Sequence, residues 1–204
     1  AQRGVEADWE GLADAWRAGY GPIMRRVEDG ELPRQPIDAL HRTLLDELLP
    51  RFGLDDLGEE DRTHLNLVWH RLDAWPDVRP GLERLRPHFT VAPLSNGNTS
   101  LLIDLARQAD LRWDCILSAE LLGHFKPHPE VYRSAARVLA LQPHQILMVA
   151  AHNNDLAAAA DAGFRTAFVY RTTEHGPGQT TELEPLPGLD LAVRDLEELA
   201  GAVT

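Results

Sequence analysis

Residues 146–164, ILMVAAHNNDLAAAADAGF, limit the folds open to this chain more than any other stretch. The apolar opening is too short for a helix of its own, so residues 146–151 read as a strand buried on both faces. A polar turn follows, made of His152, Asn153, Asn154 and Asp155. The alanine-rich run behind it suits a helix packed closely on a sheet, and Gly163 supplies its stop. Thr166 to Tyr170 then forms a second strand. Strand, turn, helix and strand make one βαβ unit, which puts the turn at the carboxyl end of a parallel strand, where open α/β sheets bind ligands. The turn is therefore a candidate site. A plain helix start, with Asn153 or Asn154 as N-cap, is the alternative.

The rest of the chain arranges itself around that unit. In residues 6–27 apolar side chains recur at spacings of three and four, which predicts an amphipathic helix broken or bent near Gly21 and Pro22. Residues 36–50 and 59–72 repeat the pattern, the latter after the acidic turn Glu59, Glu60, Asp61. Residues 1–75 thus read as a small helical subdomain. Residues 74–82, with three helix breakers, read as a linker. From there to the end, residues 76–204, strands and helices alternate: strands at 89–94, 115–117 and 189–193, helices at 99–108, 129–139 and 194–202. The fold class is α/β, with a Rossmann-like parallel sheet. Residues 172–188 form a long surface loop without a regular element.

A formal net charge of −12 argues against a nucleic-acid partner, which requires a basic surface. A small anion can still be held by local cations in a pocket. No apolar run is long enough to span a membrane. The start lacks the basic and apolar regions of a secretory signal, so a cytoplasmic protein is expected. Cys115 is the single cysteine, which rules out an internal disulfide and a cysteine-rich zinc site and leaves a small core residue. Association into a homodimer stays open.

Three polar clusters fall just after buried strands. Ser95 and Asn96 in LSNGN offer a hydroxyl, an amide and backbone N–H groups to a carboxylate or phosphate, with a turn capped by Asn98 or Thr99 as the alternative. Lys126 in FKPHPEVY lies off any amphipathic face, where a lysine would ordinarily be solvated. Asp155, in the third cluster, is its natural ion-pair partner.

In that order, LSNGN, FKPHPEVY, MVAAHNNDLAAAADAGFRTAFVYR and TEHGPGQTT resemble the later motifs of the haloacid dehalogenase superfamily, and within it the L-2-haloacid dehalogenases of type II. The resemblance covers nearly the whole chain, with residues 1–75 standing where that group carries its cap. It implies a hydrolase acting on a small anionic 2-haloacid without cofactor or metal. It implies that Ser95 and Asn96 hold the substrate carboxylate, and that Arg17, with Asn96 as a second contact, takes the halide. Lys126 paired with Asp155 would orient the nucleophile, and Tyr132 and His152 would line the pocket. Arg17 as a solvated helix residue and Tyr132 as a core residue are the alternatives.

Two departures matter. At position 151 the superfamily's phosphatases place a metal-binding aspartate, whereas this chain has Ala151, which favours halide displacement at carbon over metal-assisted phosphoryl transfer. The superfamily's first motif, DxFGT or similar, which supplies the nucleophilic aspartate, is absent from these 204 residues. The expectation is that the nucleophile strand lies outside this numbering, a natural remnant being the alternative. Since that strand runs in the middle of the family's sheet, strands 89–94 and 146–151 should share no ladder hydrogen bonds.

Overall fold

The Asp8 carboxylate opens the first helix by accepting the Gly11 N–H at 2.8 Å, one of the donors a first turn leaves without an intrahelical partner. That helix is α1 (Trp9–Glu28), in a computed structural model that describes residues 5–204. It runs through Pro22 as one helix, so of the expected break or bend the break does not occur. The proline removes one hydrogen bond, while burial of Leu12 and Trp16 before it and of Ile23, Met24 and Val27 after it holds both halves in place. The chain divides into two compact units, Ala1–Leu72 and Asp73–Thr204.

In the first unit α2 (Ile37–Leu48) tightens into a 3-10 turn, Leu49–Phe52, which ends on Gly53 at φ 67°. The single helix expected over 59–72 is instead α3 (Glu59–Asn66) followed by a 3-10 turn, Leu67–Arg71. Two side chains of this segment reach Asp38, Asn66 from the end of α3 and His70 from the 3-10 turn. Asn66 Nδ2 donates to the Asp38 carbonyl at 3.0 Å, and His70 Nε2 stands 3.1 Å from the Asp38 carboxylate. Leu12, Trp16, Leu45, Leu48, Leu49 and Leu54 form the core. Across it the Trp16 indole N–H donates to the His41 carbonyl at 2.9 Å.

The second unit begins with a correction. The expected linker over 74–82 contains the start of a helix, α4 (Val78–Leu85). Pro80 falls in its first turn, where a missing N–H leaves no hydrogen bond unmade. Gly81 is not a breaker but a close approach: a Cβ there would stand 2.5 Å from Leu196 Cβ and 2.7 Å from the Leu196 carbonyl carbon. Leu196 opens the last helix, α9 (Leu196–Val203). Asp77 fixes the same junction, its Oδ2 accepting from Arg171 at 2.7 Å and from the Leu196 N–H at 2.8 Å. Gly81→Ala should cost about 1–2 kcal/mol through overpacking, although alanine is the better helix former. Urea denaturation measures this; an unchanged midpoint would mean that α4 and α9 separate freely.

Among the described residues five parallel strands form two sheets. β1 (Leu94–Ser95) pairs with β2 (Leu117–Ser118), while β4 (Arg165–Val169) lies between β3 (Leu147–Ala150) and β5 (Leu191–Val193). Residues 89–93, expected as strand, stay outside the ladder. Pro93 has no N–H to give, and the Val91 N–H is taken at 2.8 Å by the Asp114 carboxylate. Among the described residues β1 and β3 share no ladder, in line with the expectation.

β3 is packed on both faces but less buried than expected, with Met148 alone below one-tenth exposure. Met148 and Ala150 face a core of Tyr132, Leu156, Phe164 and Phe168, whereas Leu147 and Val149 face Ala167, Val169 and Leu199. Small residues let α8 (Asn153–Asp161) lie close on the first of these faces, with Ala159 fully buried. The remaining helices are α5 (Thr99–Gln108), α6 (Ala119–Leu122) and α7 (Pro129–Leu139). Cys115 is half-buried against the Tyr132 core rather than fully inside it, and burial pushes its thiol pKa up. No described helix is long and apolar enough to cross a membrane.

Candidate active site

The carboxyl ends of β1 and β3 bring together residues far apart in the chain. Lys126, in the turn between α6 and α7, places its ammonium on Asp155 Oδ2, with only 16% and 10% of the two side chains exposed. Tyr132, on α7 and completely buried, donates its hydroxyl to the other oxygen, Asp155 Oδ1, at 2.6 Å. Burial, and then the neighbouring carboxylate, push the phenol pKa well above its ordinary value, so Tyr132 stays a donor. Each oxygen of a buried carboxylate therefore has a hydrogen-bond donor, the condition under which a buried charge is tolerated.

Asn96 acts on the same lysine from the other side. Its Oδ1 accepts the Lys126 N–H at 2.6 Å and its Nδ2 donates to the Lys126 carbonyl at 3.2 Å. This paired amide contact fixes the backbone at residue 126, where the peptide to Pro127 is cis. Ser95 Oγ accepts the Gly97 N–H at 3.0 Å, and Ser118 Oγ, at the end of β2, donates to the Gly97 carbonyl at 2.6 Å. The first polar cluster is thus a braced turn. Asn98 is the N-cap of α5, although its side chain reaches Ser100 and makes no capping bond.

The arrangement can hold an ammonium, with three donors, rigidly at the edge of an open α/β site. A family described as haloacid dehalogenase-like hydrolase matches residues 9–163. The chain belongs to that family. It is 34% identical to (S)-2-haloacid dehalogenase 4A of Burkholderia cepacia, over 76% of this chain and 68% of that protein. It is 32% identical to (S)-2-haloacid dehalogenase 1 of Pseudomonas sp. (strain CBS-3), over 59% of this chain and 56% of that protein. The crystal structure of the L-2-haloacid dehalogenase PA0810 superposes with a TM-score of 0.95 at 44% identity, covering 98% of this chain and 85% of that one.

Against the haloacid dehalogenase-like pattern, the remaining candidates fall as follows. Tyr132 does not line an open pocket as expected, because its side chain is fully buried and its hydroxyl is held by Asp155. Arg17 lies in the first unit on an exposed face of α1. His152, rather than Asn153 or Asn154, is the N-cap of α8, and its side chain makes no capping bond. Its Nε2 instead stands 3.1 Å from both oxygens of Glu174, whose hydrogen bond raises the imidazole pKa.

Ala151 offers no side-chain oxygen, and both oxygens of Asp155 are engaged by Lys126 and Tyr132.

Sequence reasoning placed Asn153 in the candidate turn but missed its partners. Asn153 donates from its backbone N–H and from Nδ2 to Glu182 Oε2, at 2.9 and 2.7 Å, and its Oδ1 accepts the Leu186 N–H at 2.8 Å. These bonds strap the 171–190 loop onto the start of α8. The loop's length was the only signal, and a length does not say what the loop touches.

Proposed function

We propose that the chain carries the site of a hydrolytic L-2-haloacid dehalogenase. A carboxylate nucleophile attacks C2 of the substrate and the carbon–halogen bond breaks, releasing halide. Water then hydrolyses the resulting ester, giving a 2-hydroxy acid of inverted configuration and restoring the carboxylate. The observation that carries the reading is the buried Lys126–Asp155–Tyr132 chain braced by Asn96. It provides a fixed ammonium to orient and stabilise a neighbouring carboxylate.

In this reading Ser95 and Asn96 meet the substrate carboxylate, and His152 borders the substrate. Tyr132 acts through Asp155 and is a positioning residue. The nucleophile would come from a DxFGT-type segment outside these 204 residues. The reaction needs no metal, an assignment supported by Ala151 and the fully engaged Asp155, and a cytoplasmic location accords with the lone cysteine.

The test is chloride release from L-2-chloropropionate by the chain carrying a DxFGT-type segment ahead of Ala1, with and without EDTA. Release that chelator leaves unchanged, with none from the D-isomer, is expected. Activity that EDTA removes and Mg²⁺ restores would overturn the metal-free reaction.

A further inference from the structure

A second cluster of ligating side chains stands at the start of α8, apart from the Lys126–Asp155 pair. His152 Nε2 lies 3.1 Å from each oxygen of Glu174. His175 adds a third ligand atom, and all three fall within 4.8 Å of one another. The two imidazole planes are 17° apart, with centroids separated by 6.4 Å. We propose that His152, Glu174 and His175 bind one divalent transition-metal ion of the Zn²⁺ or Ni²⁺ type, which fastens the 171–186 loop to the start of α8.

The donor set decides the class of ion. Two imidazole nitrogens and one carboxylate suit borderline cations, whereas Mg²⁺ and Ca²⁺ require a shell of oxygens. Three protein ligands leave a fourth position for water, the pattern of an open zinc site. With metal–ligand bonds of about 2.0–2.1 Å, neighbouring ligands of a tetrahedral ion stand about 3.3 Å apart. His152 and Glu174 are already near that separation, at 3.1 Å, and the His175 ligand atom lies within 4.8 Å of both.

Both halves of the site are held before any ion arrives. His152 stands two residues past the end of β3, at the N-cap position of α8. Glu174 and His175 sit in a hydrogen-bonded turn: the Glu174 N–H donates to the Arg171 carbonyl at 3.1 Å and the Gly176 N–H to the Thr173 carbonyl at 3.0 Å. Gln179 Oε1 accepts the His175 N–H at 3.0 Å. Asn153 pins the far side of the loop through Glu182. The charges agree, since Glu174, Glu182 and Asp155 all act on His152 with a negative field that favours a cation.

The site can be tested without turnover, so its failure is separable from that of the dehalogenase reading. The EDTA-stripped full chain is titrated calorimetrically with ZnCl₂, and separately with NiCl₂, near neutral pH. One ion per chain is expected. His152→Ala, Glu174→Gln and His175→Ala should each weaken binding by at least about tenfold, the lower bound seen when even an outer-shell partner of a metal is lost. The chain has nine histidines, and His124 and His128 stack at 3.9 Å as a rival pair, so His124→Ala is the control and should change nothing. Zn²⁺ should also slow proteolytic cleavage within residues 171–186 of the wild type and not of Glu174→Gln, circular dichroism confirming that the variants remain folded. The proposal is overturned by no heat of binding, by affinity that follows His124, or by equal binding in the three variants.

Discussion

Lys126→Ala is expected to leave a folded protein that is less stable by about 3–5 kcal/mol, the usual cost of removing one partner from a buried ion pair. The loss arises less from the missing attraction than from what remains. Asp155, with 10% of its side chain exposed, keeps the Tyr132 hydroxyl on one oxygen and has no counter-ion for the other. In the dehalogenase reading the same change should lower turnover by about a hundredfold or more, as loss of a preorganised electrostatic donor does. Lys126→Arg should not rescue it, because a guanidinium fork does not reproduce a compact ammonium. The double variant Lys126→Met/Asp155→Asn separates the two effects. It removes both charges while leaving Tyr132 an acceptor, so stability should return towards wild type and activity should not. Near-normal turnover in Lys126→Ala would reduce the lysine to one half of a structural ion pair.

The parts of this molecule legible in its sequence are those set by local pattern. The βαβ unit around residues 146–170 could be read because its apolar run, polar turn and alanine run each carry one physical meaning at short range. Lys126 and Asp155, 29 residues apart, could be paired because both lie beyond the carboxyl ends of parallel strands and carry opposite charge. What escaped depends on partners that pattern cannot name. α4 was hidden because Pro80 and Gly81 are helix breakers by composition, and Gly81 makes sense only against Leu196, in a different helix. Asn96 can be placed beside the substrate from its motif, but nothing local says that its side-chain amide also holds the Lys126 backbone. Asn153 reads as a cap until the 171–190 loop comes back over it. In each case a side chain suited to a local role is used at long range, and only the fold decides between the two.

Acid should weaken the first unit well before its carboxylates titrate, and His41 is the reason. The side chain is 6% exposed between Trp16 and Trp69, with ring centroids at 6.0 and 5.1 Å, and its Nδ1 has no hydrogen-bond partner among the described residues. Burial outweighs the attraction of Asp38 and lowers its pKa from 6.5 to about 4. Between those values the unfolded chain binds a proton that the folded one refuses, so stability rises with pH across the window. The contribution is complete above 6.5 and is lost as pH falls towards about 4. At about 1.4 kcal/mol for each pH unit, the whole window is worth about 3 kcal/mol. Glu59, held down to about 2 by its hydrogen bond with Arg42, loses its own contribution only below its unperturbed 4.5, so the upper part of the window reports the histidine. Urea unfolding followed by tryptophan fluorescence at a series of pH values from 7 to 4 measures the slope, at about one proton per unfolding event. His41→Phe fills the same aromatic site without a titrating group and should flatten that slope. A slope that survives in His41→Phe would move the acid sensitivity elsewhere in the unit.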